Sequence, residues 1–179
     1  MKTSLFSLVA IALVGTLATT YSPAAPLTNA PFAPSLAPFH CQVPCGIYGD
    51  KMRMDMLMED SATIEKAMTT LETEGVSQNQ MVRWIMNKEE HAAKIQETVA
   101  SYWLAQRIKT PADATNEAAM AKYHRQLELL HGITVAAMKC KQTTDVANVE
   151  GLRNKAMEFS GTYFSEEDQK HLRDHTFAK

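Results

Sequence analysis

A chain of 179 residues, 45% hydrophobic and 21% charged, is long enough for one globular domain with a real core and too short to expect two. Its formal charge of -2 and the lack of any Lys/Arg-rich run exclude the electrostatic footprint of a nucleic-acid binder.

Residues 1–39 differ in kind from the rest. Their one charged residue is Lys2, followed by the apolar run "LFSLVAIALVGTLA" from Leu5 to Ala18 and then by five of the seven prolines. A charged start and an apolar stretch of about 14 residues fit a secretory signal, and the run falls short of the ~20 residues a membrane-spanning helix needs. The segment "TTYSPAAPLTNAPFAPSLAPF" that follows cannot form regular helix, because proline removes a backbone donor at each recurrence. Residues 1–39 are therefore expected to be a signal peptide plus a Pro-rich propeptide, removed by a processing protease, with residues 40–179 as the folded domain. The product is expected to be exported, periplasmic or secreted, or held in an organelle lumen if the source is eukaryotic. A single basic residue argues against an Arg-rich mitochondrial presequence. No stable membrane span is expected in the mature chain.

Next come His40, Cys41 and Cys45, in "HCQVPCGIY". Pro44 restricts the turn between the two cysteines and Gly46 follows it, which lets both sulfurs face one point. On spacing alone, a disulfide formed on export, or a featureless thiol pair, is the favoured reading, and a disulfide would leave Cys140 over.

From Lys51 onward the pattern is helical. Ile64, Met68 and Leu71 fall at helical spacing, as do Val82, Ile85 and Met86, with Ile95, Val99 and Tyr102 beyond them. Gly75, Ser77 and Asn79 punctuate the two stretches, and "KTPADATN" at 109–116 ends the second. Met120, Tyr123, Leu127, Leu130 and Thr134 mark a third stripe ending near Cys140. Asp145 is placed to cap a fourth, with Val146, Val149, Leu152, Ala156 and Phe159 inward, and "SEED" at Ser165 starts a short tail helix. With no alternating strand run, the expected fold is all-α, an antiparallel four-helix bundle with an N-terminal metal-binding hook.

The hook follows from the chemistry of His40. If the peptide bond before it is cut, a free amine, an imidazole, two thiolates and the backbone nitrogen of Cys41 lie within six residues. Such nitrogen and sulfur donors suit square-planar or tetragonal Ni(II) or Cu(II), whereas zinc prefers a tetrahedron and hard cations prefer oxygen.

"HCQVPCGIY", His40 to Tyr48, resembles the nickel hook of the nickel superoxide dismutases, His-Cys-x-x-Pro-Cys-Gly-x-Tyr, at every fixed position. The helical pattern and size of the remaining chain also resemble that family's four-helix-bundle subunit. The resemblance implies a nickel ion held by His40, Cys41 and Cys45, superoxide as substrate, dioxygen and hydrogen peroxide as products, and a homohexamer. Tyr48 matches the hook tyrosine close to the substrate face, so it carries a catalytic assignment. The family orients its histidine with a carboxylate on the first helix, for which Asp55 and Glu59 are the candidates. Two positions depart from the pattern: His91 stands where the family has an arginine on the second helix, and Gln106 where it has a second tyrosine.

Two rivals come from other classes. Met52, Met54, Met56 and Met58, beside the His-Cys cluster, suggest an exported copper-binding or copper-handling protein using thioether sulfur. Residues two apart on a helix point to nearly opposite sides, however, so only Met52 with Met56 and Met54 with Met58 share a face, as ordinary packing methionines would. Glu128 and His131 have the Glu-x-x-His spacing of di-iron bundles, but the nearest second copy, Asp168 and His171, lies in the tail. His91 aside, the helical histidines are expected to be packed or exposed, Cys140 a surface thiol between two lysines, and Trp84, Tyr102 and Trp103 core or subunit-contact residues.

Overall fold

The computed structural model describes residues 46–175, all within one compact unit, Pro38–Lys179. The first described turn is set by Gly46, whose φ of 82° lies in the left-handed region that side chains avoid. The chain then enters α1, Asp50–Leu71. Met54, Leu57, Ser61, Ile64, Ala67 and Met68 recur every three or four residues and are its buried residues. A second left-handed glycine, Gly75 at φ 81°, lies in the loop beyond the end of α1.

α2, Gln78–Glu97, begins at Ser77, whose side chain accepts a hydrogen bond from the Gln80 N–H at 3.4 Å. It runs without a break into a π-helical segment, Thr98–Arg107. The Ile108 N–H closes that segment on the Trp103 carbonyl at 2.9 Å, an i→i+5 bond. α3, Glu117–Gln142, is capped by Asn116, which accepts from the Ala119 N–H at 3.0 Å. α4 spans Ala147–Tyr163, and the carboxylate of Asp145 accepts from the Ala147 N–H at 3.0 Å. α5, Glu166–His175, starts at Ser165, whose hydroxyl accepts from the Asp168 N–H at 3.2 Å and donates to Asp168 Oδ2 at 2.9 Å.

α1 packs on α2, α2 on α3 and α3 on α4, while contacts between α1 and α4 close the ring. Among the described residues there are helices and no strands. The expected all-α four-helix bundle is what the chain forms, with α5 added against α1 through the Lys51–Asp168 pair at 2.9 Å and the buried Leu172. No described helix is long and apolar enough to cross a membrane.

Several stripes sit differently from the expectation. Val82, Ile85 and Met86 are exposed, and the buried residues of α2 are Lys88, Ala92 and Ile95. In α3 the buried face runs through Gln126, Leu129, Leu130, Ile133, Ala136, Ala137 and Cys140, about one position beside the Tyr123–Leu127–Thr134 line. The register is decided by neighbours: Gln126 reaches the Thr162 carbonyl on α4 at 3.1 Å, which only its own face can do. Val146 is exposed rather than inward, because it stands at the α4 cap. Cys140 is fully buried, not a surface thiol, and burial pushes its pKa up to about 11 against the opposing charge of Lys88.

Lys88 explains part of that arrangement. Its ammonium donates to the carbonyls of Cys140, Lys141 and Thr143 at 2.8, 2.5 and 3.1 Å, so a cation from α2 closes the end of α3. The last carbonyls of a helix lack intrahelical donors and carry partial negative charge, which is why a buried lysine is tolerated here.

Candidate metal centre

His40, Cys41 and Cys45 lie outside the described residues. As a donor set they fit nickel: soft thiolates with nitrogen donors suit a square-planar ion. Of the His40–Tyr48 string, Gly46, Ile47 and Tyr48 are described, and Tyr48 is the one packed against the core.

Tyr48 is half-buried against the hydrophobic core. Its ring meets Tyr102 edge-on, with centroids 5.9 Å apart, and the guanidinium of Arg107 lies over its face, 4.3 Å from the ring centroid. Its hydroxyl donates to Gln106 Oε1 at 3.2 Å. Gln106, the residue before Arg107, thus fixes the Tyr48 hydroxyl.

Beneath this, Asp50 gathers four hydrogen bonds. Oδ1 accepts from the Tyr102 hydroxyl at 2.5 Å and from Arg107 Nε at 2.9 Å; Oδ2 accepts from an Arg107 terminal nitrogen at 2.7 Å and from the Tyr163 hydroxyl at 2.9 Å. The fork of Arg107 therefore meets the carboxylate with both prongs. Burial pushes the Asp50 carboxyl up, but the hydrogen bonds from Arg107, Tyr102 and Tyr163, with the guanidinium charge, outweigh it and leave its pKa below the ordinary value. The same contacts act oppositely on the phenols: burial first, then the bond to Asp50, pushes Tyr163 up to about 12 and raises Tyr102 further. Asp50 is thus a saturated anion and the tyrosines are neutral donors.

The π-helical backbone makes this convergence possible. Tyr102 and Arg107 are five residues apart, which in an α-helix would turn their side chains about 140° away from each other. The wider i→i+5 ladder brings them onto one face, toward Asp50. A cavity of about 620 Å³ opens beside the cluster, lined by Tyr48, Asp50, Lys51, Arg107, Tyr163 and Asp168 among others.

The other candidates fall elsewhere. Asp55 is half-buried on α1 and contributes to the electrostatic surroundings of Lys51, while Glu59 is exposed. The carboxylate that holds a histidine here is Asp60, whose Oδ1 lies 2.6 Å from His91 Nδ1. His91 therefore has an acidic partner on α1, while Asp55 and Glu59 were the candidates for orienting His40, which lies outside the described residues. Sequence reasoning missed Asp50, Arg107 and Tyr163, since nothing in their local spacing marks them. The one available clue was the position of Arg107 next to Gln106.

The rivals fare poorly. Met54 is fully buried and Met58 half-buried, while Met52 and Met56 are exposed, so the four thioethers do not share a surface. Glu128 and His131 are exposed, and Glu128 pairs with Arg125 at 2.8 Å rather than facing a bundle core. Among the described residues no group of three or more His, Cys, Asp or Glu could hold a metal.

The model of the nickel-containing superoxide dismutase family matches residues 35–167, which include the whole His40–Tyr48 string and α1 to α4. No curated protein and no solved structure matches the chain. The match covers well over half of the sequence and joins the His40–Tyr48 string to the helices that carry Asp50 and Arg107, so the chain belongs to the nickel-containing superoxide dismutases, nickel-dependent oxidoreductases whose substrate is superoxide.

Proposed function

We propose that the working enzyme begins at His40, binds one nickel ion in the His40–Cys45 segment, and disproportionates superoxide to dioxygen and hydrogen peroxide. Bound there, nickel supplies one-electron chemistry by passing between Ni(II) and Ni(III). The thiolates of Cys41 and Cys45 and the amide nitrogen of Cys41 provide the electron density that the higher oxidation state needs, and the His40 amine and imidazole complete the donor set. Tyr48 contributes a phenol whose hydroxyl is tied to Gln106 and would order substrate or water. The saturated hydrogen-bonding of Asp50 makes it a positioning anion, not a proton donor.

The proposal includes removal of residues 1–39 as a signal and propeptide, export, and assembly into a homohexamer. The observation that carries it is the unbroken His-Cys-x-x-Pro-Cys-Gly-x-Tyr string inside the family match. Intact mass and metal analysis of protein from its native source test it together. A chain starting at His40 with about one nickel per subunit and a Ni(III) electron-resonance signal is expected. A chain keeping the Pro-rich residues, loaded with copper or no metal, would return the argument to copper handling or a plain disulfide.

A further inference from the structure

We propose that Arg107, gripped by Asp50, is a positioning residue for Tyr48: it holds the phenol ring against the bundle so that its hydroxyl stays on Gln106. The inference rests on the nickel dismutase reading for its kinetic consequence, but the hold on Tyr48 is a property of the described chain alone.

Three contacts reach Tyr48 from the π-helical segment. The Arg107 guanidinium covers one face at 4.3 Å, the Tyr102 ring meets it edge-on, and Gln106 takes its hydroxyl. Two of these depend on Asp50, which bonds both Arg107 and Tyr102. Asp50 is two residues beyond Tyr48, at the first turn of α1, where the helix N-terminus favours an anion. The carboxylate therefore ties the base of the hook to the end of the π-helical segment.

A guanidinium has one further use that a lysine lacks. Its plane stacks on the ring while its edge stays bonded to Asp50, so one side chain fixes both partners at once. Lysine would keep the charge and lose the fork. The neighbouring cations do not substitute for it: Lys51 is engaged by Asp168, and Arg53 lies over Tyr102, 5.0 Å from that ring's centroid.

The test compares Arg107→Met, Arg107→Lys, Tyr48→Phe and the Arg107→Met/Tyr48→Phe double variant in the processed full enzyme, with nickel content and melting temperature measured for each. Arg107→Met and Arg107→Lys are each expected to lower kcat/KM about tenfold with nickel retained, as misplacement of a contacting group does. The double variant is expected to be no slower than Tyr48→Phe alone, because Arg107 acts through that hydroxyl. A metal-free readout accompanies this: in nickel-free protein carrying ring-labelled tyrosine, the Tyr48 signals, assigned by their loss in Tyr48→Phe, should broaden or shift in both Arg107 variants. If Arg107→Met does not fold, Arg107→Lys carries the comparison.

Unchanged Tyr48 signals in the Arg107 variants overturn the proposal, as does a double variant whose losses simply add. Absence of nickel or of dismutation in the unaltered protein sinks the function instead, and leaves the ring signals to decide the hold on Tyr48 by themselves.

Discussion

Asp50 accepts four hydrogen bonds and sits at the head of α1, and its pH behaviour follows from that. Its folded pKa is depressed below the ordinary 3.8, so the folded state binds the proton less readily than the unfolded state does. The stability from this group is fully present above about pH 3.8 and is lost as pH falls through the lower folded value. Asp50→Asn should remove that part of the acid transition while lowering stability near neutral pH, measurable as urea midpoints across pH 2–7. An acid limb identical to the unaltered protein's would show that the network contributes nothing. Tyr163 carries the opposite sign: its folded pKa is raised to about 12, so its contribution holds below about pH 10 and fades as pH climbs through the folded value. For the hook, Cys41→Ser and Cys45→Ser should each abolish dismutation, because a serine hydroxyl cannot give the soft anionic donation that Ni(III) requires. His40→Ala should keep the amine, retain some nickel and lose the Ni(III) resonance pattern of the unaltered enzyme. Dismutation surviving either serine change would remove the thiolates from the chemistry. His40, Cys41 and Cys45 could be proposed as donors from the sequence because donor chemistry is local to each residue. Asp50 and Arg107 were not, because a carboxylate and a guanidinium 57 residues apart announce nothing until the fold joins them.

At the scale of elements, Lys88 carries the sharpest prediction. It is nearly fully buried and its three acceptors are the terminal carbonyls of α3 and the residue beyond. Lys88→Met keeps the stem and deletes the donors, and should cost about 2–3 kcal/mol in denaturant unfolding, since unsatisfied buried polar groups are expensive. A loss below about 0.5 kcal/mol would mean that water replaces the ammonium. Ser77→Ala, by contrast, removes a single exposed cap and should cost about 1 kcal/mol or less. The elements themselves were foreseeable. Punctuation by Gly75 and Ser77, the break at 109–116 and the cap at Asp145 all fall where the helices start or stop. The π-helical segment was not foreseeable, because Val99, Tyr102 and Trp103 satisfy ordinary helical spacing well enough to hide a wider turn. Nor was the exposure of Val82, Ile85 and Met86, since a hydrophobic stripe states that it wants cover without saying which neighbour provides it.

For the whole molecule, the proposed removal of residues 1–39 carries a prediction of its own. A chain still carrying residues 1–39 has an acylated nitrogen at His40 and therefore lacks the amine donor. Purified with that leader intact, it should be inactive in superoxide consumption, and cleavage before His40 followed by nickel should restore activity. Full activity of the uncut chain would remove the amine from the donor set. The bundle itself rests on an aromatic centre. Trp103 is fully buried and meets Tyr102, Phe159 and Tyr163 at 5.1 Å each, so Trp103→Ala should cost about 3–5 kcal/mol. Because Tyr102 and Tyr163 also bond Asp50, the core and the base of the hook are one structure, and loosening one loosens the other.

What the sequence determined by itself was the chemistry and the class of fold: donor atoms follow from residue type, and helix from periodicity and capping, both of which act over a few neighbouring residues. What only the tertiary structure decided was the support around that chemistry. Whether Arg107 stacks on Tyr48, whether Asp60 meets His91, and which face of α3 turns inward depend on how separate helices dock. Docking is set by the packing and hydrogen-bonding of residues far apart in the chain, and no local pattern records it.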